Sequence, residues 1–168
     1  MTPPTSSKAE TFDRARLRTE LEADEARRRF AYVDCCAKSW KLCTCKEKGE
    51  LTIGVGWNLD ANGLPDAIVD QLLDLSIDQA AKDADELEPR WRDLIPDRQR
   101  VLLTLAFNLG LSGARRFVKF WQAIGEYLDG DSEVALDRAA GELRNSKANR
   151  QTKGRYDRLA DRIATQRT

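Results

Sequence analysis

The spacing of apolar residues changes along the chain from a helical period to an alternating one and back again. An early helix is predicted over residues 9–24 and should end near Glu25. From Phe30 the period becomes two, which is typical of a strand. The clearest alternation of apolar with small or polar residues is carried by Leu51, Ile53, Val55 and Trp57. We therefore expect a small antiparallel hairpin or meander, closed by a turn at residues 58–63 (NLDANG).

Beyond this turn, helices are predicted to the end of the chain. Pro65 and Pro96 stand where the first turn of a helix tolerates proline, and Gly110 is placed to end the second of these helices. Ser76 either starts a new helix or lies inside one long helix that runs to Leu87. Apolar residues at helical spacing predict three more helices, at 117–128, 134–143 and 156–163. One β element followed by helices predicts an α+β protein.

The ends of the chain and its length predict one folded domain. Residues 1–8 are polar with two prolines and are expected to be a disordered lead-in. Residues 9–168 then form a single domain with two lobes, about 25–75 and 76–168, plus the N-terminal helix. We find no signal peptide and no run of roughly 18 apolar residues, so we expect synthesis in the cytoplasm and no membrane insertion.

Composition removes several classes of function. The chain has 28 basic and 28 acidic residues and no histidine. A net charge of zero argues against a nucleic-acid partner held by bulk counterion release. Without histidine there is no Ser-His-Asp triad, no Cys-His pair and no His-ligated zinc. Residues 141–168 are nonetheless basic, either as solvated helix faces or as a rim that attracts an anionic polymer.

Two carboxylates and a hydroxyl cluster where the helical period gives way to the strand period. Glu25 ends the first helix, Asp34 follows nine positions later, and Thr52 lies on the predicted strand. Such a set suits a reaction in which one carboxylic acid donates a proton and one carboxylate directs a water molecule. The pair alone is weak evidence, because a chain with 28 acidic residues contains many such pairs.

The surrounding sequence makes this set specific. Residues 25–34 (EARRRFAYVD) followed by 51–56 (LTIGVG) resemble the catalytic signature of bacteriophage-type lysozymes, the muramidase endolysins of glycoside hydrolase family 24. Residues 107–110 (FNLG) and the turn that begins at Gln151 resemble later elements of the same family, so the similarity covers about residues 17–163. The resemblance implies a lysozyme-like fold, with a small N-terminal β lobe and a larger helical lobe.

The family resemblance also implies roles for individual residues. Glu25 would be the general acid, kept protonated by partial burial, Asp34 would activate the water, and Thr52 would position it. Members of this kind invert the anomeric centre, which implies carboxyl groups roughly 6.5–9.5 Å apart. Three residues of the later elements would contact substrate: Asn108, Thr152 and Arg155. One departure is Trp57, which stands where the family commonly has histidine.

The implied activity is hydrolysis of the β-1,4 bond between N-acetylmuramic acid and N-acetylglucosamine in peptidoglycan. An endolysin of this kind is expected to be a monomer, to need no cofactor, and to pass from the host cytoplasm to the periplasm and cell wall through a holin. Two alternatives stay open: a lytic transglycosylase, which forms an anhydro sugar, and a non-catalytic wall-binding domain on the same fold. A redox or metal sensor centred on the cysteines is a third.

All four cysteines lie in a segment that short members of the family lack, between Asp34 and Thr52. They occupy eleven consecutive positions, as Cys35, Cys36, Cys43 and Cys45. Two disulfides formed in an oxidising periplasm are the first expectation. A structural zinc ion held by four thiolates is the second, although the Cys-Cys and Cys-x-Cys spacings differ from the usual Cys-x2-Cys knuckle. Free thiols are the third.

Overall fold

A computed structural model of the chain describes residues 13–25, 27–36, 38–45, 49–130, 133–152 and 154–165. The lead-in expected at residues 1–8 and the first residues of the predicted early helix lie outside this description. The fold is α+β, mostly helical with a small antiparallel sheet near the N-terminus, as the sequence predicts. The chain divides into two compact units, residues 1–69 and 70–168.

The described residues of the first unit form an N-terminal helix, a four-stranded sheet, a 3-10 turn, a short second helix and the start of a third. Its elements in chain order are α1 (Arg14–Glu25), β1 (Arg28–Val33), β2 (Lys38–Ser39), a 3-10 turn (Trp40–Leu42), β3 (Leu51–Gly54), β4 (Trp57–Asn58) and α2 (Leu59–Asn62). The strands are antiparallel in the order β2-β1-β3-β4. Thr52 of β3 lies opposite Tyr32 of β1 and Asn58 of β4, and both Thr52 and Tyr32 are buried.

The strand predicted from Leu51 to Trp57 is in fact two strands. Gly54 and Gly56 have φ values of 70° and 73°, a left-handed conformation that glycine adopts without steric cost. The chain reverses there, so Val55 lies in a turn and Trp57 begins β4. The alternating pattern correctly predicts the sheet, but it does not show that the chain reverses between β3 and β4.

The turn predicted at residues 58–63 is a short helix, α2. The side chain of Asn58 caps it by accepting a hydrogen bond of 2.9 Å from the backbone N–H of Ala61. Gly63, with φ 60°, ends it. The same residue types favour turns and helix caps, which is why composition could not separate the two.

The second unit is helical. Its elements are α3 (Asp66–Leu87), which begins within the first unit, a 3-10 turn (Trp91–Asp93), α4 (Pro96–Ala114), α5 (Val118–Leu128), α6 (Val134–Arg144), α7 (Lys147–Gln151) and α8 (Arg155–Ala164). Ser76 lies inside α3 and donates to the Leu72 carbonyl, so the single long helix is the correct alternative. Gly110, with φ 61° and ψ 171°, interrupts the helical conformation where the sequence predicts an end, and the chain resumes as a helix beyond this kink to Ala114.

The core of the second unit lies between α4, α5, α6 and α8. Its fully buried residues include Leu102, Leu105, Phe120, Ile124, Leu136, Leu143, Tyr156 and Ile163. The buried guanidinium of Arg98 donates to the Tyr127 hydroxyl at 2.7 Å and to Glu133 at 3.0 Å. Among the described residues no single helix is long and apolar enough to cross a membrane, and α4 and α5 reach that threshold only together, across a bend of 119°.

Candidate active site

Glu25 is the last residue of α1, and its side chain is exposed. The partial burial expected for a general acid is therefore not found. The carboxylate lies beside the turn between β3 and β4. A Cβ added to Gly56 in this turn would be 3.7 Å from Glu25 Oε2. A Cβ at that distance would be in ordinary van der Waals contact with the carboxylate.

Asp34 lies at the other end of the β1–β3 ladder and is held by Glu50. Its backbone N–H donates to the Glu50 carbonyl at 3.2 Å, and its Oδ1 accepts the Glu50 N–H at 2.8 Å. A hydrogen bond to a charged acceptor of this kind is stronger than one between neutral groups. The Asp34 side chain is exposed to solvent, so it is positioned by the backbone and remains accessible.

Thr52 is buried in the sheet, with 5% of its surface exposed. Its hydroxyl donates to the Glu50 carbonyl at 3.2 Å. Because a hydroxyl has one proton and two lone pairs, Thr52 Oγ1 retains its capacity to accept a hydrogen bond. Glu50 thus contacts both Asp34 and Thr52 through its backbone.

The three catalytic residues predicted from the sequence are arranged along one strand. Asp34 is anchored at Glu50, just before β3, Thr52 is within β3, and the Glu25 carboxylate lies beside Gly56, just after it. Glu50 was not singled out from the sequence. It acts through its N–H and carbonyl groups, which every residue but proline has, so no side-chain signal could have revealed it.

Two of the three predicted substrate residues meet in the second unit. Asn108 is half-buried on α4, and its Oδ1 accepts a hydrogen bond of 2.8 Å from Arg155 Nη1. Both line a groove of about 510 Å³. Thr152 is not among the lining residues, and its hydroxyl donates to the Ala148 carbonyl at 2.9 Å, at the end of α7.

The groove combines apolar and cationic side chains. Besides Asn108 and Arg155 it is lined by Leu73, Ile77, Ala80, Arg100, Leu103, Thr104, Phe107 and Arg162. Phe107 is 48% exposed, so its ring is accessible from solvent. Apolar surface with a few convergent polar groups is the usual composition of a ligand site. Of these residues, the sequence analysis singled out Phe107 through the FNLG motif.

The four cysteines converge in the first unit. The four Sγ atoms all lie within 4.8 Å of one another. Cys43 Sγ is 3.7 Å from Cys35 Sγ and 3.6 Å from Cys36 Sγ. The disulfides expected first are not present, since a disulfide needs a separation of about 2.05 Å and all four cysteines are free.

The thiols influence one another's ionisation. The backbone amide of Cys45 and then the Cys36 side chain lower the pKa of Cys43 by stabilising its thiolate. Hydrogen bonds with the other three thiols, Cys35 first, raise the pKa of Cys45 to about 12. The pKa values of Cys35, Cys43 and Cys45 therefore depend on one another. Such a cluster has the composition and spacing of a metal-binding site.

No protein-family model matches the chain, and no curated protein matches it by sequence.

Proposed function

We propose that the chain is a glycoside hydrolase with a lysozyme-like fold that cleaves the β-1,4 bond between N-acetylmuramic acid and N-acetylglucosamine in peptidoglycan. The observation that carries the proposal is the alignment of Glu25, Asp34 and Thr52 along β3, with Asp34 and Thr52 joined through the backbone of Glu50. These residue types are those of a reaction that needs one acid, one base and one positioned water, and the proposal requires the Glu25 and Asp34 carboxyl groups to come within roughly 6.5–9.5 Å of each other.

In the proposed reaction Glu25 donates its proton to the glycosidic oxygen as the bond to the leaving sugar breaks. Asp34 accepts a proton from the attacking water, whose oxygen forms the new bond to the anomeric carbon. Thr52 Oγ1 accepts a hydrogen bond from the same water and orients it, because its own proton is already donated to Glu50. Water enters on the face opposite the leaving group, so the anomeric configuration inverts.

The groove at Asn108 and Arg155 is proposed to hold part of the glycan. Phe107 supplies an apolar face for a sugar ring, and the amide and guanidinium groups supply hydrogen bonds to hydroxyl, acetamido or lactyl oxygens. Arg155 donates to Asn108, which fixes the guanidinium for this purpose. Thr152 instead donates its hydroxyl proton to the Ala148 carbonyl, which leaves only its lone pairs for a hydrogen bond from substrate.

The biological role proposed is that of a phage endolysin. The protein would act as a monomer on peptidoglycan, reach the periplasm and cell wall from the host cytoplasm through a holin, and use no cofactor in the reaction. A structural zinc ion at the cysteine cluster is a separate proposal and is argued below.

Glu25→Gln tests the proposal, because glutamine keeps the shape of the side chain and cannot donate the acid proton. We expect wall lysis by this variant to fall to background while its circular dichroism spectrum and melting temperature are unchanged. Glu20→Gln is the matched control on the same helix. It removes only an exposed ion pair with Arg16, worth about 0.3–0.5 kcal/mol, and should retain full activity.

The same assay separates the alternatives. Clearing of permeabilised cells by wild-type protein, lost in Glu25→Gln, excludes a non-catalytic wall-binding domain. A 1,6-anhydro sugar at the product end would identify a lytic transglycosylase. Full activity of Glu25→Gln would refute the assignment of the acid.

A further inference from the structure

In the segment between Asp34 and β3, the residues whose burial the structure describes form no apolar core. Among its residues whose burial the structure describes, none is buried, and Leu42 is 67% exposed. Among the described residues of this segment, regular structure is limited to the two residues of β2 and a 3-10 turn of three. Small elements that cannot bury apolar surface are commonly held by disulfides or by a metal ion. Some such link is expected here.

The positions of the sulfur atoms match those of a tetrahedral metal site. Zinc–thiolate bonds of about 2.3 Å place the sulfurs of a tetrahedron about 3.8 Å apart. The distances from Cys43 Sγ to Cys35 and Cys36 Sγ are 3.7 Å and 3.6 Å. No pair among the four exceeds 4.8 Å, so an ion at the centre requires shifts of about 1 Å or less.

Pairwise disulfides fit this arrangement less well. Cys43 Sγ is almost equally close to two other sulfurs. A disulfide brings only two sulfurs to about 2.05 Å and does not require the other two to lie nearby. Convergence of all four thiols on one point is what a shared central ligand requires.

We propose that Cys35, Cys36, Cys43 and Cys45 bind one Zn²⁺ ion as four thiolate ligands. Four soft sulfur ligands in a tetrahedron favour zinc or iron, and zinc is the usual ion of closed, structural sites. All four positions around the ion are filled by protein, so the ion stabilises the segment and has no open position for a substrate.

The site adjoins Asp34 at both ends of the cysteine segment. Asp34 precedes Cys35 directly, and Cys36 N–H donates to the Val33 carbonyl at the end of β1. At the other end, Gly49 packs so closely on Asp34 and Cys35 that a Cβ there would overlap them. Binding of the ion thus fixes the two chain segments that position the Asp34 carboxylate. This consequence for activity depends on the proposed function, whereas the metal site does not.

The test measures metal directly in the full-length protein. Elemental mass spectrometry of protein purified without chelator should detect about one zinc ion per chain. After removal of zinc under reducing conditions, Co²⁺ added to the protein should produce the strong visible and sulfur-to-metal charge-transfer absorption of a tetrahedral thiolate site. Cys43→Ser should lose most of this signal, and Thr44→Ser, an exposed neighbour between two ligands, should keep it.

Because a serine variant can fail to fold, titration of the reduced wild-type protein with Co²⁺ decides the question independently. Three results would overturn the proposal: no binding of Co²⁺ or Zn²⁺ by the reduced protein, an intact mass lower by four hydrogens with no metal, or iron in place of zinc. Removal of zinc should also reduce wall lysis, and its return should restore it. If no form of the protein lyses walls, the muramidase proposal fails while the Co²⁺ spectrum still decides the metal site.

Discussion

Gly49→Ala should disable the proposed site without disturbing the helical unit. The added Cβ would overlap Asp34 Oδ1 and lie 2.7 Å from Cys35 N and 2.8 Å from Cys35 Cβ. Non-bonded carbons rest about 3.5–4.0 Å apart, so the atoms must separate by roughly 0.7 Å or more. Two of the three contacts involve Cys35 N and Cβ, atoms that move only with the main chain, so a side-chain rotation cannot relieve them.

The expected loss of stability and of activity follows from how far the added Cβ displaces Asp34 and Cys35. Forcing extra carbon into a tightly packed site typically costs about 1–3 kcal/mol. For catalysis, a misplacement of about 1 Å can cost ~10²-fold in rate. We therefore expect kcat/KM on soluble peptidoglycan fragments to fall roughly 100-fold, mostly through kcat, because Asp34 acts on the water rather than on binding.

The matched control is Gly141→Ala on α6. A Cβ at Gly141 meets no atom within 4 Å, and the position is helical. Alanine there should leave activity unchanged and raise the free energy of unfolding by about 0.4–1 kcal/mol. Both variants are assayed for product release and for melting temperature. A folded Gly49→Ala protein whose kcat/KM lies within twofold of wild type would refute the placement of Asp34.

Three further predictions concern the helical unit. Leu136→Ala should lower the free energy of unfolding in urea by about 2–5 kcal/mol, because Leu136 is fully buried. Val134 is exposed, so Val134→Ala should change the free energy of unfolding by no more than ~0.5 kcal/mol. Equal losses in the two variants would contradict the assignment of the core. Burial raises the pKa of Tyr156, so its contribution to stability is present below about pH 10 and is lost as the pH rises through the higher folded value. Tyr156→Phe should therefore show a smaller alkaline fall in melting temperature, and an unchanged fall would refute this. Asn108→Ala removes the acceptor of Arg155 and should raise KM more than it lowers kcat, and a loss confined to kcat would argue against a binding role.

Local patterns were sufficient to predict most of the helices. The apolar spacing correctly places α5, α6 and α8, because each buries one face in the core of the second unit. The short helix α7 was missed. It has five residues and buries none of them, so it leaves no apolar period, and its only signal is the cap formed by Ser146 on the Asn149 N–H.

The candidate site was less predictable than the fold because it depends on backbone groups and long-range pairs. Glu50 contributes its N–H and carbonyl, which carry no signal in the residue type. Asn108 and Arg155 were each selected from the sequence, but a hydrogen bond across 47 positions follows only from the packing of α4 against α8. The convergence of the cysteines likewise depends on the path of a segment that has almost no regular structure.

The most direct test of the central claim is the anomeric form of the product released from purified peptidoglycan. Proton NMR recorded immediately after digestion should show a new reducing end on N-acetylmuramic acid in the α configuration, the inverse of the β bond that is cleaved. The signal should be absent with Glu25→Gln and present with Glu20→Gln. A β product, an anhydro end, or an unchanged signal from Glu25→Gln would contradict the proposed mechanism.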